Sequence, residues 1–370
     1  MMPQTIARDP IASRLTALRQ RLQADGLDGI LISRPENRRY LSGFTGSSGW
    51  LLITHEEALL ITDFRYWEQA QRQSPHFELV RLADGMDELM PELKERMGAR
   101  RIAFESAHLT VDEHQRWMAD GGSVVWVATK EIVEPLRAVK DAGEIAALRK
   151  AATLTDAALQ ETLARLRPGM LEREVAWLLE RTLRESGAEA AAFEIIVAGG
   201  PNGALPHAHA GDDPLPSGQP IVIDMGARVD GYCSDMTRTI CLGQPADPNT
   251  FWTVYRTVHT AQQTALAMLR AGVTGIDADA AAREVITRAG YGEAFGHSLG
   301  HGVGLAIHEG PRLSRRSSDL LTPGMVVTVE PGVYLPGWGG VRIEDLVVIG
   351  EEAIEILSQA PKEPIVQGDW

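Results

Sequence analysis

Residues 220–240 constrain the fold of this chain more than any other segment. Two runs rich in β-branched residues flank an Asp230-Gly231 pair, which predicts a β-hairpin. A turn centred on this pair sets Asp224 opposite Thr237, and a turn one residue earlier sets Asp224 opposite Asp235. Because side chains alternate between the faces of a strand, the two aspartates share a face in both registers. Like charges there are destabilising, so the pattern favours a bound cation over the alternative of two acids facing solvent on an edge hairpin.

Residues 325–349 predict a second acidic hairpin, with a Pro- and Gly-rich reversal between two apolar runs. A symmetric turn about Gly337 places Glu330 opposite Glu344. Both glutamates interrupt apolar strands, where an unpaired buried carboxylate costs several kcal/mol or takes up a proton. A metal ion removes that penalty, so the second hairpin also predicts a cation site.

Between the hairpins, residues 296–311 hold three histidines among closely spaced glycines. The glycines predict irregular backbone that approaches other groups closely, rather than a helix. A single histidine of this kind is usually a core or surface residue, but three of them beside two acidic hairpins favour a functional role. A nucleotide-binding loop is rejected, because the glycines lack the G-x-G-x-x-G spacing and no βαβ unit follows.

Five residues and the motifs around them carry a family resemblance. In chain order they are Asp224 in IDMGA, Asp235 in SDMTRT, His301 in LGHGVGL, Glu330 in VEPGVY and Glu344 in GVRIED. Their order and spacing resemble those of the pita-bread metallopeptidases, which include prolidase, aminopeptidase P and methionine aminopeptidase. The resemblance implies that Asp224 chelates one metal ion and that His301 and Glu330 bind another, with Asp235 and Glu344 bridging the two. All five positions are intact, unlike those of the metal-free members, creatinase and the chaperone-type domains.

Further polar residues are predicted to act beside the five metal ligands. The resemblance marks His207 and His308 as groups that hold the substrate and stabilise the transition state, with a purely structural role as the alternative. Glu330 can accept a proton from the attacking water and pass it to the leaving amine. Arg342 shares a strand face with Glu344. This position predicts that Arg342 neutralises negative charge and orients a ligand carboxylate. Tyr334 is expected in the same network.

Four carboxylates with one imidazole favour hard or borderline divalent ions. We expect two ions per chain, Mn²⁺ foremost, with Co²⁺ or Zn²⁺ as alternatives. Ions of this kind lower the pKa of a water molecule and polarise a carbonyl group, which is the chemistry of amide hydrolysis. In that reaction His308 is expected to donate to the developing oxyanion, and His207 to orient the carbonyl or the residue after the scissile bond.

The length of 370 residues exceeds what one core usually accommodates and predicts two domains. Residues 1–135 alternate helical segments with apolar strands, which predicts an α/β domain. The expected segments are a helix at 11–24 and strands at 29–33, 49–54 and 58–62. Phrases at 37–46 and 62–66 resemble the creatinase-type N-terminal domain. Residues 136–370 are expected to form the pita-bread catalytic domain, so the predicted fold class is α+β.

Three helices are predicted in the second domain. Asp141 and Glu144 fit a helix cap with a capping box. Two amphipathic stretches at 171–186 and 250–271 precede and follow the first hairpin.

The surface and the location follow from charge and composition. A net charge of −14 argues against nucleic acid or an anionic membrane as the main partner. No run approaches the roughly 18 apolar residues of a membrane span, and no secretory signal is recognised at the N-terminus. Cys233 and Cys241 lie too far apart on their predicted strand to bridge, so both are expected to be free thiols. These observations predict a cytoplasmic protein.

The resemblance implies a substrate. The additional N-terminal domain favours hydrolysis of the Xaa-Pro bond at the N-terminus of short peptides, an Xaa-Pro aminopeptidase. A dipeptide-only prolidase is the alternative, and it requires a cation for the product carboxylate. Arg312, Arg315 and Arg316 are candidates for that cation, or form a solvated basic patch. A further alternative is a pita-bread module that binds peptides or acts as a chaperone without catalysis.

Segments of the N-terminal domain resemble those that family members use for subunit contacts. They carry Tyr40, Phe44, Arg65, Tyr66 and Trp67. We hypothesise a homodimer in which this domain restricts the cleft to short peptides. The alternative is that the aromatic residues fill the core of the domain itself.

Overall fold

The computed structural model describes residues 9–118 and 122–368. The chain divides into two compact units between Arg137 and Ala138. Each unit has its own sheets and its own apolar core.

The first unit is built on a mixed sheet. Its elements are α1 Pro10–Ala24, β1 Gly29–Ile32, α2 Pro35–Ser42, β2 Trp50–Thr54, β3 Ala58–Asp63, α3 Trp67–Gln73, β4 Glu78–Leu82, α4 Met86–Met97, β5 Arg101–Glu105, α5 Val111–Met118, β6 Val125–Thr129 and α6 Glu134–Ala138. The strand order is β4-β3-β2-β1-β5-β6, with β1, β2 and β3 antiparallel and the outer pairs parallel. The first predicted helix and the three predicted strands are confirmed.

The apolar pattern of α4 shows why its helix packs on this sheet. Met86, Met90, Leu93 and Met97 recur every three or four residues, which places them on one face of the helix. All four are buried in the core of the first unit. Each fully buried apolar side chain of this size contributes about 1.5–3 kcal/mol relative to an exposed one.

The second unit contains the two acidic hairpins. Its elements are α7 Ala142–Leu163, α8 Glu172–Glu185, β7 Ala190–Ala191, β8 Ile196–Gly199, β9 Pro220–Met225, β10 Ala227–Val229, β11 Tyr232–Cys233, β12 Met236–Leu242, α9 Pro248–Met268, α10 Gly275–Arg288, β13 Gly300–Gly302, β14 Glu309–Leu313, β15 Val326–Val329, β16 Gly332–Leu335, β17 Gly339–Arg342, β18 Asp345–Ile349, β19 Ile354–Ile356 and β20 Ile365–Val366. Short 3₁₀ turns occupy Gly200–Ala204 and Gly292–Ala294. The three helices predicted for this part of the chain are confirmed as α7, α8 and α9.

Helix ends follow the predicted capping chemistry. Oδ1 of Asp141 accepts from the N–H groups of Gly143 and Glu144 at 2.8 and 2.9 Å, and Oε2 of Glu144 accepts from the N–H of Asp141 at 2.9 Å. This reciprocal capping box satisfies N–H groups that the first turn of α7 leaves without helical partners.

Each hairpin shares an apolar cluster with a pair of helices. Residues of α7 and α8, such as Leu159 and Leu179, are buried in one cluster with Ile223 of the first hairpin. Residues of α9 and α10 are buried in a second cluster with Val327 and Val341 of the second hairpin. The same arrangement therefore occurs twice, and it fixes both hairpins from one side.

The first hairpin adopts the register of a turn centred on Asp230-Gly231. Asp224 pairs with Thr237, and Asp230 and Gly231 have φ values of +47° and +73°. Both angles are positive, as a two-residue type I′ turn requires. The alternative register, with Asp224 directly opposite Asp235, is wrong.

The second hairpin keeps one register but divides into two sheets. Val329 pairs with Asp345 on one side, and Gly332 pairs with Arg342 on the other. Between them the ladder opens to a single bond, from the N–H of Ile343 to Pro331 O at 3.4 Å, because Pro331 has no N–H to donate in return. The N–H of Glu330 donates instead to Leu299 O at 2.8 Å, and that of Glu344 donates to Thr237 O at 3.1 Å. The pairs on both sides keep the predicted register, which sets Glu330 opposite Glu344, so this prediction is confirmed. The bond from Glu344 to Thr237 joins the two hairpins.

Two further predictions concern single features of the chain. Cys233 lies on β11 and Cys241 on β12, so the single strand predicted for them is interrupted, but both are buried free thiols as expected. Within the described ranges, no helix combines the length and the apolar character that a membrane span needs.

Candidate metal centre

The five predicted ligands come together in the second unit. Asp224 lies on β9, Asp235 directly precedes β12, His301 lies on β13, and Glu330 and Glu344 occupy the opening of the second hairpin. All five line one cavity of about 420 Å³. Asp235, His301 and Glu344 each offer a ligand atom within 4.8 Å of the others.

The histidine of this cluster presents a lone pair to the acids. Nδ1 of His301 lies 3.1 Å from Gly302 O, so this nitrogen carries the proton and donates it. Nε2 is then unprotonated, and it lies 3.4 Å from Glu330 Oε1 and 3.6 Å from Asp235 Oδ2. Burial lowers the pKa of His301 to about 4, which keeps the ring neutral and able to bind a metal ion.

The carboxylates are crowded and short of compensating charge. Burial raises the pKa of Asp235 well above its usual range, and Glu344, Asp224 and Glu330 raise it further. Burial likewise raises the pKa of Glu344, and it raises that of Glu330 to about 8 although Arg342 opposes the shift. Oδ1 of Asp224 is buried without a hydrogen-bond partner in the described structure. Oxygen-rich ligands with one neutral imidazole fit divalent cations, which supply the missing positive charge.

Thr237 and Arg342 hold two of the acids in place. The hydroxyl of Thr237 donates to Glu344 Oε2 at 2.7 Å and accepts from Arg342 Nε at 3.0 Å. A terminal guanidinium nitrogen of Arg342 donates to Asp224 Oδ2 at 2.7 Å. Arg342 thus forms a direct ion pair with one of the predicted ligands. Thr237 was missed, although one register of the first hairpin sets it opposite Asp224.

A second branch of this network reaches His297. Arg342 donates to the hydroxyl oxygen of Tyr334 at 2.8 Å, and that hydroxyl lies 2.9 Å from His297 Nε2. Because Nδ1 of His297 donates to Ser298 O at 2.8 Å, Nε2 accepts the hydroxyl proton. Burial lowers the pKa of His297 to about 4 and raises that of Tyr334 to about 12, so both groups stay neutral at pH 7. Among the three histidines of its motif, His297 received no role from the sequence.

The remaining predicted residues lie on the cavity wall. The ring of His308 is 4.4 Å from that of His301 between centroids, and His207 is on an exposed loop. Burial lowers the pKa of His308, and Arg312 lowers it further. Arg312 also lines the cavity, whereas Arg315 and Arg316 are outside its lining.

Removing metal is expected to make stability depend on pH. Glu330 has a pKa of about 8 in the folded state against 4.5 in the unfolded chain, so at neutral pH the folded protein binds more protons than the unfolded one. Stability is then lost as pH rises towards 8. The buried histidines oppose this trend near pH 6.5, where they are half protonated only in the unfolded chain, but above about pH 7.5 they are largely neutral in both states. We expect the melting temperature of chelated protein to fall between about pH 7.5 and 8.5, and added Mn²⁺ to raise that melting temperature more at the upper end of this range than at the lower end. A constant or rising melting temperature of the chelated protein would contradict this.

Buried acids, a neutral imidazole and an adjoining cavity define a metalloenzyme. Residues 146–351 match the model for metallopeptidase family M24, and residues 14–139 match that for the creatinase/prolidase N-terminal domain. The chain belongs to metallopeptidase family M24, so the predicted family and fold class are confirmed.

Relatives and solved structures match nearly the whole chain. An uncharacterized peptidase from Bacillus subtilis, YqhT, is 42% identical over 95% of this chain and 99% of its own length. The structure of an Xaa-Pro dipeptidase from Bacillus anthracis has a TM-score of 0.92 at 42% identity and covers 97% of this chain and 100% of its own. That of an X-Pro aminopeptidase from Thermotoga maritima has a TM-score of 0.85 at 41% identity and covers 94% and 100%. Enzymes named for both specificities are therefore similar to this chain.

Proposed function

We propose that this chain is a metal-dependent hydrolase of Xaa-Pro bonds in short peptides. The observation that carries the proposal is the single cavity lined by all five predicted ligands together with His207, His308 and Arg342. The relatives named as Xaa-Pro peptidases support the substrate class. A non-catalytic binding module would not need an intact set of buried acidic ligands.

The proposed centre holds two divalent ions of the Mn²⁺ class. Asp224, Asp235, His301, Glu330 and Glu344 would hold these ions, with Asp235 and Glu344, one from each hairpin, available to both. Ions bound there supply Lewis acidity and lower the pKa of a water molecule. Co²⁺ and Zn²⁺ suit the same donor set less well than Mn²⁺, because four of the five ligands are carboxylates.

The chain's own residues supply proton transfer and orientation. Glu330 receives the proton of the attacking water and passes it to the leaving amine. The hydroxyl of Thr328 donates to Glu330 Oε1 at 3.1 Å and so fixes the carboxylate. His308 donates to the developing oxyanion. His207 and Arg342 bind the substrate, and Arg342 also keeps Asp224 in position. Tyr334, which was predicted to bind substrate as well, is outside the cavity lining and holds Arg342 instead.

Arg312 decides between the two specificities in this proposal. A dipeptidase needs a cation that binds the carboxylate of the proline residue, and among the three candidate arginines Arg312 alone lines the cavity. This position favours dipeptides, so prolidase replaces Xaa-Pro aminopeptidase as the first candidate. The aminopeptidase remains the second, because a similar solved structure carries that name.

Comparing the hydrolysis of an Xaa-Pro dipeptide with that of the matching Xaa-Pro-Yaa tripeptide tests whether the protein is a prolidase or an Xaa-Pro aminopeptidase. We expect manganese-loaded protein to prefer the dipeptide, and Arg312→Met to lower kcat/KM for the dipeptide about 10- to 100-fold, since a hydrogen bond between charged groups is lost. The tripeptide should respond little. Arg315→Met is the matched control, because Arg315 is outside the cavity. A preference for the tripeptide, with equal effects of Arg312→Met on both substrates, would favour the aminopeptidase.

Assembly, domain roles and location complete the proposal. We propose that residues 1–135 form an N-terminal domain that restricts the cleft, and that residues 136–370 form the catalytic domain of a cytoplasmic homodimer. Tyr40 and Phe44 are buried, so the core alternative is correct for them. Arg65 is exposed and remains available for a subunit contact. Sedimentation of the full chain as a monomer would contradict the dimer.

A further inference from the structure

Glu172, the first residue of α8, does not line the cavity and carries no role in the proposed reaction. It is 1% exposed, and its carboxylate accepts three hydrogen bonds. Oε1 accepts from the N–H of Gly199 at 2.8 Å, and Oε2 accepts from the side-chain amide of Asn202 at 2.8 Å and from the N–H of Gly211 at 3.2 Å. One carboxylate therefore ties together both ends of residues 199–211, here named the His207 loop.

Other hydrogen bonds fix the same loop. The backbone N–H of Glu172 donates to Asp213 O at 3.0 Å, which holds the chain just after the loop against the start of α8. At the centre of the loop, Pro206 O accepts from Arg342 at 3.3 Å. The loop is thus anchored at both ends by α8 and in the middle by a guanidinium of the metal centre. His207 follows the central anchor directly and lines the cavity.

We propose that Glu172 is a positioning residue that holds His207 in place for substrate binding by closing the His207 loop. The inference rests on the substrate role proposed for His207. Three donors converge on this side chain, so both of its oxygens must accept. A glutamine of the same shape has only one accepting oxygen, and its amide group would face an N–H donor at the other end. Glu172→Gln therefore loses the side-chain hydrogen bonds at one end of the loop, whichever way the amide turns, and leaves that end held only by backbone hydrogen bonds.

Hydrogen exchange followed by mass spectrometry tests the closure without reference to activity. In Glu172→Gln, we expect amides of residues 199–211 to exchange about tenfold faster or more, because local opening becomes easier. Amides of the first hairpin, residues 220–242, should keep their rates. The matched control is Glu185→Gln, which removes an exposed carboxylate from the other end of α8 and should leave both segments unchanged. Unchanged exchange of the loop in Glu172→Gln would overturn the proposal.

Steady-state kinetics tests the link to His207. We expect Glu172→Gln to raise KM for an Xaa-Pro substrate about tenfold with a much smaller change in kcat and normal metal content. A merely structural role would lower the active fraction, and hence kcat, without raising KM. In a His207→Ala background the Glu172→Gln change should add nothing to KM. Full additivity there would overturn the assignment.

The outcomes separate this inference from the proposed function. If the unaltered protein failed to hydrolyse Xaa-Pro peptides, the proposed function would be wrong, and hydrogen exchange would still decide whether Glu172 closes the loop. If Glu172→Gln did not fold, Asn202→Ala takes its place, because it removes one of the three donors and leaves the buried carboxylate intact. We expect the same changes of exchange and KM in that variant, with smaller amplitude, and unchanged values would overturn the proposal.

Discussion

We expect Asp235→Asn and Glu344→Gln each to abolish metal binding and to lower kcat/KM for Xaa-Pro hydrolysis by about 10³-fold or more. The side chains of these two residues and of His301 offer ligand atoms within 4.8 Å of one another, so losing either acid removes a proposed bridge. Residues that hydrogen-bond to a metal ligand without binding the metal already contribute about 10- to 100-fold to metal affinity or activity. A residue that bridges both ions should contribute more.

The isosteric substitutions keep failure of folding apart from failure of binding. Burial raises the pKa of Asp235 and of Glu344, and neighbouring acids raise it further, so a neutral side chain at either position removes a buried charge and relieves repulsion. The chelated variants should therefore melt no lower than the chelated unaltered protein. Glu355→Gln, which removes an exposed carboxylate from β19, is the matched control and should retain metal and activity. Full activity of either ligand variant after titration with Mn²⁺ would refute the two-ion centre.

Features that depend on neighbouring residues could be predicted from the sequence. Asp224 and Asp235 share one face of the first hairpin in both registers considered, because side chains alternate along a strand. The Asp230-Gly231 pair then determines the turn, since only such residues readily adopt two successive positive φ values. The capping box of α7 is equally local. These elements needed no information from distant parts of the chain.

Features that depend on contacts between distant segments could not be predicted. Glu344 donates its N–H to Thr237 O, and Thr237 lies more than a hundred positions earlier in the chain. This contact joins the two hairpins, and nothing in the local pattern of residues 325–349 indicates it. His297 and Glu172 were missed for the same reason, because their partners Tyr334 and Gly211 belong to other elements. The burial of Phe44 likewise depends on the tertiary packing of the domain around it.

Alanine substitutions of His301 and His308 are expected to have different effects, one on metal binding and the other on turnover. Nε2 of His301 faces Asp235 and Glu330, so His301→Ala removes a ligand and should release metal. The ring of His308 lies 4.4 Å from that ring between centroids, tilted by 57°, and His308 is proposed to act on the oxyanion. We expect His308→Ala to keep near-normal metal content and to lower kcat about 10²-fold or more, the usual cost of losing an oxyanion donor.

Metal analysis and kinetics on the same preparations measure this contrast. After dialysis against Mn²⁺ and removal of free ions, metal per chain should be low in His301→Ala and unchanged in His308→Ala. Because His308 acts mainly in the transition state, kcat and kcat/KM should fall together in its variant, with little change in KM. His76→Ala, which removes a histidine paired with Asp9 in the first unit, is the control for loss of a metal-binding side chain elsewhere. If His308→Ala loses metal and His301→Ala retains it, the roles of the two residues are reversed, and the ligand set must include His308 instead.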